Sequence, residues 1–354
     1  MSQLLSPFTV RGVTARNRIW VSPMCQYSAT DGVPNDWHFM HLGQFAAGGA
    51  GLIMTEASAV SPEGRITPYD AGIWNDEQVA AWRRITDFAH AQGAKIGMQL
   101  GHAGRKASAL RPWEGHGMVP VEEGGWQPVA PSAIPFGEQA TPRELTEEEI
   151  HGIIADFVAG AKRALAAGFD ALELHGAHGY LLHQFYSPLS NRRTDGYGGD
   201  FDGRVRFVLE VATAVRAAIG DEAPLFTRLS ATDWDEEGWT ADDSVRLARL
   251  LSDVGVDLID TSTAGNTPKP KIPIGPGYQV PFAQRIRTEA KVATGAVGLI
   301  TEPQQAEQIV ATGAADVVFL ARAALRDPHW PLNAARVLGG EIEWPVQYSR
   351  ARLG

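Results

Sequence analysis

Eight short apolar runs alternate with longer amphipathic segments along the chain, and this alternation constrains the fold more than any other feature. The strand-like runs cover residues 18–24, 51–57, 95–100, 171–175, 224–230, 257–262, 296–300 and 316–321. The helix-like segments cover residues 76–92, 147–167, 203–219, 241–254, 279–292 and 303–312. Near-continuous apolar strands separated by helices predict a parallel sheet that helices cover on both faces.

Eight is the number of strands that closes a (β/α)8 barrel. We therefore predict an α/β fold of the TIM-barrel type. A doubly wound open sheet is the alternative, and the lack of a G-x-G-x-x-G turn after any of these strands disfavours it. The 354-residue chain exceeds a typical barrel of about 250 residues. The excess predicts an N-terminal lead-in, an insertion after the third strand at about 101–145 and a C-terminal tail from about 331. Residues 1–354 are predicted to form one domain.

Capping signals support three helix starts and three helix ends. A capping box joins a hydroxyl side chain to the residue three positions later. The sequence predicts such boxes at Thr146 with Glu149, Thr240 with Asp243, and Thr301 with Gln304. Glycines just before the next strand predict helix ends at Gly168, Gly255 and Gly313.

Composition excludes several classes of protein. The net charge of −10 argues against nucleic-acid binding and against an anionic membrane surface. No apolar run approaches the roughly 18 residues of a membrane-spanning helix, and the N-terminus lacks the layout of a signal peptide. The single cysteine, Cys25, excludes an internal disulfide framework and fits a reducing compartment. We therefore expect a soluble cytoplasmic protein.

The segment from Glu173 to Gly199, ELHGAHGYLLHQFYSPLSNRRTDGYGG, gathers three histidines and three tyrosines just after the fourth predicted strand. Three interpretations compete: a well hydrogen-bonded loop, a metal site, and a pocket that binds a carbonyl oxygen and moves a proton beside it. His175 and His178 could be two metal ligands. However, zinc needs a third and often a fourth ligand, so we predict no metal. His183 is assigned to loop packing.

Active sites of (β/α)8 barrels form at the carboxyl ends of the strands. The residues at those ends are Ser22 to Tyr27, Glu56, Ala57, Gln99, His102, His175, His178, Arg228, Gly298, Ala321 and Arg322. Each of them is a weak indication alone. Their predicted convergence on one rim favours a functional site.

Seven motifs resemble those of a known family. They are SPMCQYS, EASAVSPEGRI, QLGHAGRK, HGAHGYLLHQFYSPLSNRRTDGYGG, RLSATDW, GYQVPFA and VQYSR. Essentially end to end, the chain resembles the Old Yellow Enzyme family of FMN-dependent ene-reductases. It is most similar to the bacterial thermophilic-type branch of NADPH dehydrogenases and xenobiotic reductases. The cysteine in SPMC marks this branch, since the yeast-type branch has threonine there.

The resemblance implies an FMN enzyme that takes hydride from NADPH and reduces electron-poor alkenes in alternating half-reactions. It places Arg228 near flavin N1 and O2, where a guanidinium stabilises the anionic reduced flavin. It places Gln99 at the pyrimidine edge, which needs both a donor and an acceptor. The other implied cofactor contacts are Ser22, Pro23, Met24, Cys25, Ala57, Gly298, Ala321 and Arg322. The family more often has glycine where this chain has Ala321.

At the substrate, the resemblance implies that His175 and His178 bind the carbonyl oxygen of an enone. Tyr180 would protonate the α-carbon, and Tyr27 would add a hydroxyl. Cys25 would tune the flavin without acting as a nucleophile, whereas Lys106 lies near flavin or substrate or is simply solvated. Arg350 of the tail would enter the neighbouring subunit's site, which implies a homodimer or a tetramer built from dimers.

Two other functions remain open on the same fold. One is a metal-dependent hydrolase or a Schiff-base aldolase. The other is a flavin-binding protein without catalytic activity.

Overall fold

The predicted strands close into a barrel. A computed structural model describes residues 2–353. The barrel strands, numbered β1 to β8, are Ile19–Val21, Leu52–Ala59, Lys95–Gly101, Ala171–Gly176, Leu225–Ser230, Leu258–Ser262, Ala293–Ala296 and Val317–Leu320. They are hydrogen-bonded in sequence order and all pair in parallel, and β8 pairs with β1 to complete the circle. The predicted α/β barrel is therefore confirmed.

Helices surround the barrel. Helices α1 to α10 are Asp36–Ala47, Asp76–Ala91, Glu147–Ala166, Leu181–Tyr186, Phe201–Ile219, Ala241–Asp253, Val280–Ala290, Pro303–Ala311, Arg322–Arg326 and Trp330–Val337. The six predicted helices correspond to α2, α3, α5, α6, α7 and α8. The apolar pattern did not reveal α1, because its buried face carries His38, His41 and Gly43 among its few aliphatic and aromatic residues.

Two local predictions are wrong. The seventh strand lies at Ala293–Ala296 and not at 296–300, because Gly298 and Leu299 have φ angles of 122° and 51°, which a strand excludes. The capping box predicted at Thr301 is absent: α8 begins after Glu302, whose side chain makes no cap hydrogen bond. The boxes at Thr146 and Thr240 are confirmed.

The barrel interior changes character along its axis. Towards the amino ends of the strands it is filled by aromatic rings, with Trp20 lying 5.6 Å from Phe226 and 5.5 Å from Phe319 between centroids. A hairpin of Phe8–Val10 and Val13–Ala15 adds Phe8 to this cluster. Towards the carboxyl ends the interior side chains become polar, so the sealed end supports an open, chemically active end.

The insertion contains little regular structure, whereas most of the tail is helical. The insertion has helical turns at Gly104–Lys106 and Val121–Glu123, and it pairs Val129–Ala130 with Arg143–Glu144. The tail continues past α10 to a 3-10 helix at Val346–Leu353. Within residues 2–353, no helix is long and apolar enough to cross a membrane.

Candidate active site

A layer of four buried polar side chains forms the floor of the open end. The Gln99 amide donates to Glu173 at 2.7 Å, and the Arg228 guanidinium lies 3.1 Å from Asp260. None of the four is more than 5% exposed. Burial raises the pKa of Glu173 to about 8, and the nearby Asp260 adds to this. Burial also raises the pKa of Asp260 to about 6, against the opposing effect of Arg228.

Glu173 and Asp260 were not predicted as site residues. Each lies within an apolar strand, in ALELH and DLIDTS respectively. A carboxylate within such a strand is unusual, because an ionised carboxylate is costly to bury without a partner. These two carboxylates within apolar strands are the sequence feature from which Glu173 and Asp260 could have been predicted as site residues.

We predict that Glu173→Gln changes how stability depends on pH. The folded-state pKa of Glu173, about 8, exceeds its ordinary value of 4.5. Its contribution to stability is therefore fully present below pH 4.5 and is lost as the pH rises through about 8. Glutamine does not titrate, so the variant should gain at least about 1 kcal/mol relative to wild type between pH 5 and pH 9. Urea unfolding at both pH values measures this difference. The same pH dependence in both proteins would show that Glu173 is not protonated in the folded state.

Two histidines and a tyrosine meet above the polar layer. The His175 ring lies 5.1 Å from that of His178 and 4.9 Å from that of Tyr180, between centroids. Burial lowers the pKa of both histidines well below the usual range, and Arg228 and Lys106 add to the effect. Burial raises the pKa of Tyr180. At neutral pH the cluster therefore has two neutral imidazoles, each with one N–H, beside a protonated phenol.

The loop that carries His178 is held in a strained conformation. His178 has a φ of 58°, which costs a non-glycine residue roughly 1–3 kcal/mol. Its backbone amide donates to Ser230 at 2.9 Å, and its Nε2 lies 2.8 Å from the Ser262 hydroxyl. The Lys106 amine donates to its carbonyl at 2.8 Å. Because three contacts fix this residue, the direction of its ring is determined before a ligand binds.

Lys106 and His183 support the same loop. The Lys106 amine also donates to the Gly265 carbonyl at 3.1 Å, and burial lowers its pKa to about 8. The interpretation of Lys106 as a solvated lysine is therefore wrong. His183 is fully buried: its Nδ1 accepts from the Gly179 amide, and its Nε2 lies 2.9 Å from Asp233. This agrees with its assignment to loop packing.

The segment after β1 forms one wall. Ser22 is buried, and its hydroxyl has no hydrogen-bond partner within residues 2–353. The Cys25 thiol contacts the Tyr27 side chain and the Ala57 backbone, and burial raises its pKa well above the ordinary value. A thiol that stays protonated is a poor nucleophile. Pro23 and Met24 connect these residues and are half-buried.

A cavity of about 200 Å³ lies between β6 and α9. Its lining includes His178, Arg228, Ser262, Gly298, Ala321 and Arg322. Gly298 has a φ of 122°, which only glycine adopts readily. Ala321 has a negative φ of −109°, so its methyl group does not meet the steric penalty of a positive φ. Guanidinium groups and the backbone after β7 and β8 suit an anion such as a phosphate group, as is common in these barrels.

The predicted site residues converge on this rim with one exception. Arg350 is exposed in the 3-10 helix of the tail. The preceding residues, 343–347, line a groove with Arg16 and Gln92, at the amino ends of the strands. This chain's own Arg350 therefore does not line the rim cavities. Within residues 2–353, no group of three or more His, Cys, Asp or Glu side chains is placed to hold a metal ion.

Known proteins are similar to this chain in both sequence and fold. The profile of the NADH:flavin oxidoreductase / NADH oxidase family matches residues 3–339. An NADPH dehydrogenase of Geobacillus sp. (strain WCH70) is 50% identical over 352 residues, which are 99% of this chain and 98% of that protein. The structure of morphinone reductase in complex with tetrahydroNAD has a TM-score of 0.79 at 30% identity, covering 97% of this chain and 92% of that one. An old yellow enzyme homologue from Zymomonas mobilis gives 0.76 at 30% identity, covering 97% and 95%.

Proposed function

The chain belongs to the NADH:flavin oxidoreductase / NADH oxidase family, and from this premise we propose that it is an NADPH-dependent ene-reductase acting on α,β-unsaturated carbonyl compounds. The observation that carries the proposal is the cluster of His175, His178 and Tyr180. Two N–H donors suit a carbonyl oxygen on which negative charge develops. A protonated phenol beside them suits proton delivery to the neighbouring carbon.

The rim fits FMN. Arg322 and the backbone at Gly298 would hold its phosphate, and the polar layer with Gln99 and Arg228 would face its pyrimidine edge. The unpartnered Ser22 hydroxyl and the backbone up to Cys25, with Ala57 opposite, would flank its ring. FMN bound there would supply the hydride chemistry that links NADPH to the alkene.

The side chains account for the rest of the reaction. His175 and His178 donate to the carbonyl oxygen of the enone and stabilise the charge that develops as its β-carbon gains hydride. Tyr180 gives its proton to the α-carbon. NADPH and the enone use the same rim in turn, so the two half-reactions alternate. Tyr27, next to the Cys25 thiol, offers a further hydroxyl to the substrate.

Visible spectra test the proposal. We expect the purified protein to be yellow and to release FMN on denaturation. Anaerobic NADPH should bleach the flavin band, and cyclohexenone should restore it, because the enone accepts the hydride. Release of FAD or of no flavin would contradict the cofactor assignment. Bleaching that no enone reverses would leave the family assignment standing but exclude ene-reduction.

We also propose that Arg350 completes the site of a neighbouring subunit in a homodimer, or in a tetramer of dimers. The residue is exposed and does not line the rim cavities of its own chain. Truncation after Pro345 should weaken enone binding and leave each barrel folded and yellow, because the tail lies outside the barrel. Steady-state kinetics and sedimentation measure both effects, with Arg352→Ala as a matched control in the full chain. Full activity and unchanged assembly after truncation would exclude the shared site.

A further inference from the structure

A second cavity, of about 10 Å³, lies beside Tyr180. A cavity of this size is just large enough for one water molecule. Its polar lining consists of Asp70, His102, His175 and Tyr180, and the other lining residues are glycine, alanine and isoleucine. A buried water typically makes about three hydrogen bonds, so the lining offers enough partners for one.

His102 lines this cavity and has a buried ring nitrogen without a hydrogen-bond partner within residues 2–353. Its Nδ1 accepts from the Gly104 amide at 3.1 Å, and burial lowers its pKa to about 4. The imidazole is therefore neutral at pH 7, and its proton is on Nε2. That nitrogen is buried and has no hydrogen-bond partner within residues 2–353, and the residue is only 2% exposed. A buried N–H without a partner is costly.

Asp70 lines the same cavity, and hydrogen bonds to both of its carboxylate oxygens hold the side chain in place. One carboxylate oxygen accepts from the Ile66 amide at 2.7 Å, and the other accepts from the Thr67 hydroxyl at 2.7 Å. Burial raises the pKa of Asp70 to about 7, although these hydrogen bonds oppose the rise. A fraction of Asp70 is therefore protonated at neutral pH. Asp70 itself is only 1% exposed, whereas the adjacent Tyr69 is exposed.

We propose that the small cavity holds one water molecule, which links Asp70 and His102 to the Tyr180 hydroxyl and returns a proton to Tyr180 after each turnover. This rests on the function proposed above. When the α-carbon takes the Tyr180 proton, the phenolate oxygen takes a proton from the water. The hydroxide that remains takes the Asp70 carboxyl proton, and Asp70 recovers its proton from solvent. His102 donates to the water oxygen throughout and stabilises the negative charge.

The need for such a supply follows from the burial of Tyr180. Burial, Cys25 and Asp70 all raise its pKa, so the phenolate left after catalysis is unfavourable. No electron transfer is involved, and the only net change is the passage of one proton from solvent to the product.

Rapid mixing of the FMN-loaded enzyme tests the proposal. The enzyme is reduced with one equivalent of NADPH and mixed with cyclohexenone, while the flavin band and the near-ultraviolet tyrosinate band are followed. In wild type we expect no lasting tyrosinate. In Asp70→Asn, tyrosinate equivalent to one residue per flavin should appear and persist, and kcat should fall by a larger factor than the first-turnover rate. The band should vanish in the double variant with Tyr180→Phe.

Two further variants test whether misfolding or a long-range charge effect could explain the result with Asp70→Asn. His102→Phe keeps an aromatic ring but removes the donor, and it should also accumulate tyrosinate. Glu63→Gln changes an exposed carboxylate that acts on His102 only through its charge, and it should behave as wild type. Absence of tyrosinate in both site variants, or an equal fall of kcat and first-turnover rate, would overturn the inference alone. Wild-type reduced flavin that cyclohexenone fails to reoxidise would overturn the proposed function and this inference together.

Discussion

Tyr180→Phe should slow reoxidation of the reduced flavin by cyclohexenone by about 10²- to 10⁴-fold, the usual contribution of a positioned general acid. The phenol lies against the His175 ring, and its raised pKa keeps it protonated. Phenylalanine keeps the ring and its packing and loses only the proton donor. Anaerobic stopped-flow measurement of the flavin band gives the rate directly.

The reductive half-reaction provides an internal control for this variant. Reduction of the flavin by NADPH needs no proton from Tyr180, so its rate should change little. Electron acceptors whose products need no α-protonation should also be little affected. Tyr197→Phe is a matched control, because its hydroxyl bonds Glu210 at 2.8 Å outside the rim and should not affect enone reduction. An unchanged rate with cyclohexenone would show that water or another residue supplies the proton.

The barrel could be predicted from the sequence because seven of its strands are locally apolar. The exception is strand β7, ATGA, so the apolar pattern predicts the neighbouring AVGLI in its place. The reason lies inside the barrel: a Cβ on Gly295 would come within 2.4 Å of the Phe319 ring. A small residue is needed there because a large one from β8 fills the space. Only the packed barrel reveals such a requirement.

The site could be predicted best at the carboxyl ends of the strands. His175 and His178 were predicted because these ends define the rim, whereas Tyr180 was predicted only from the family resemblance. Asp70 could not be found in this way, since it lies well beyond β2 and reaches the cavity through a turn held by Thr67. The contacts of half-buried Lys106 could not be predicted either, because its partners come from the loops after β4 and β6.

The two histidines should matter differently in the two half-reactions. Both donate to the carbonyl oxygen of the enone in the proposed reaction. NADPH has no developing oxyanion at that position, so its hydride transfer depends less on them. Because their pKa values are well below the usual range, neither histidine should titrate between pH 6 and pH 8. The enone rate should therefore show no histidine ionisation in that interval.

His175→Ala and His178→Ala should each slow enone reduction by about 10²- to 10³-fold, since each removes one donor to a developing oxyanion. Both should also weaken the binding of phenols, whose oxygen would occupy the same position. Stopped-flow rates for each half-reaction and flavin-perturbation titrations with a phenol measure the effects. His151→Ala is the control, because this histidine pairs with Tyr197 at 3.1 Å, away from the rim. Equal losses in the two half-reactions would mean that the histidines hold the flavin or the fold and do not bind the carbonyl. A larger loss with the enone is the result that only the carbonyl role explains.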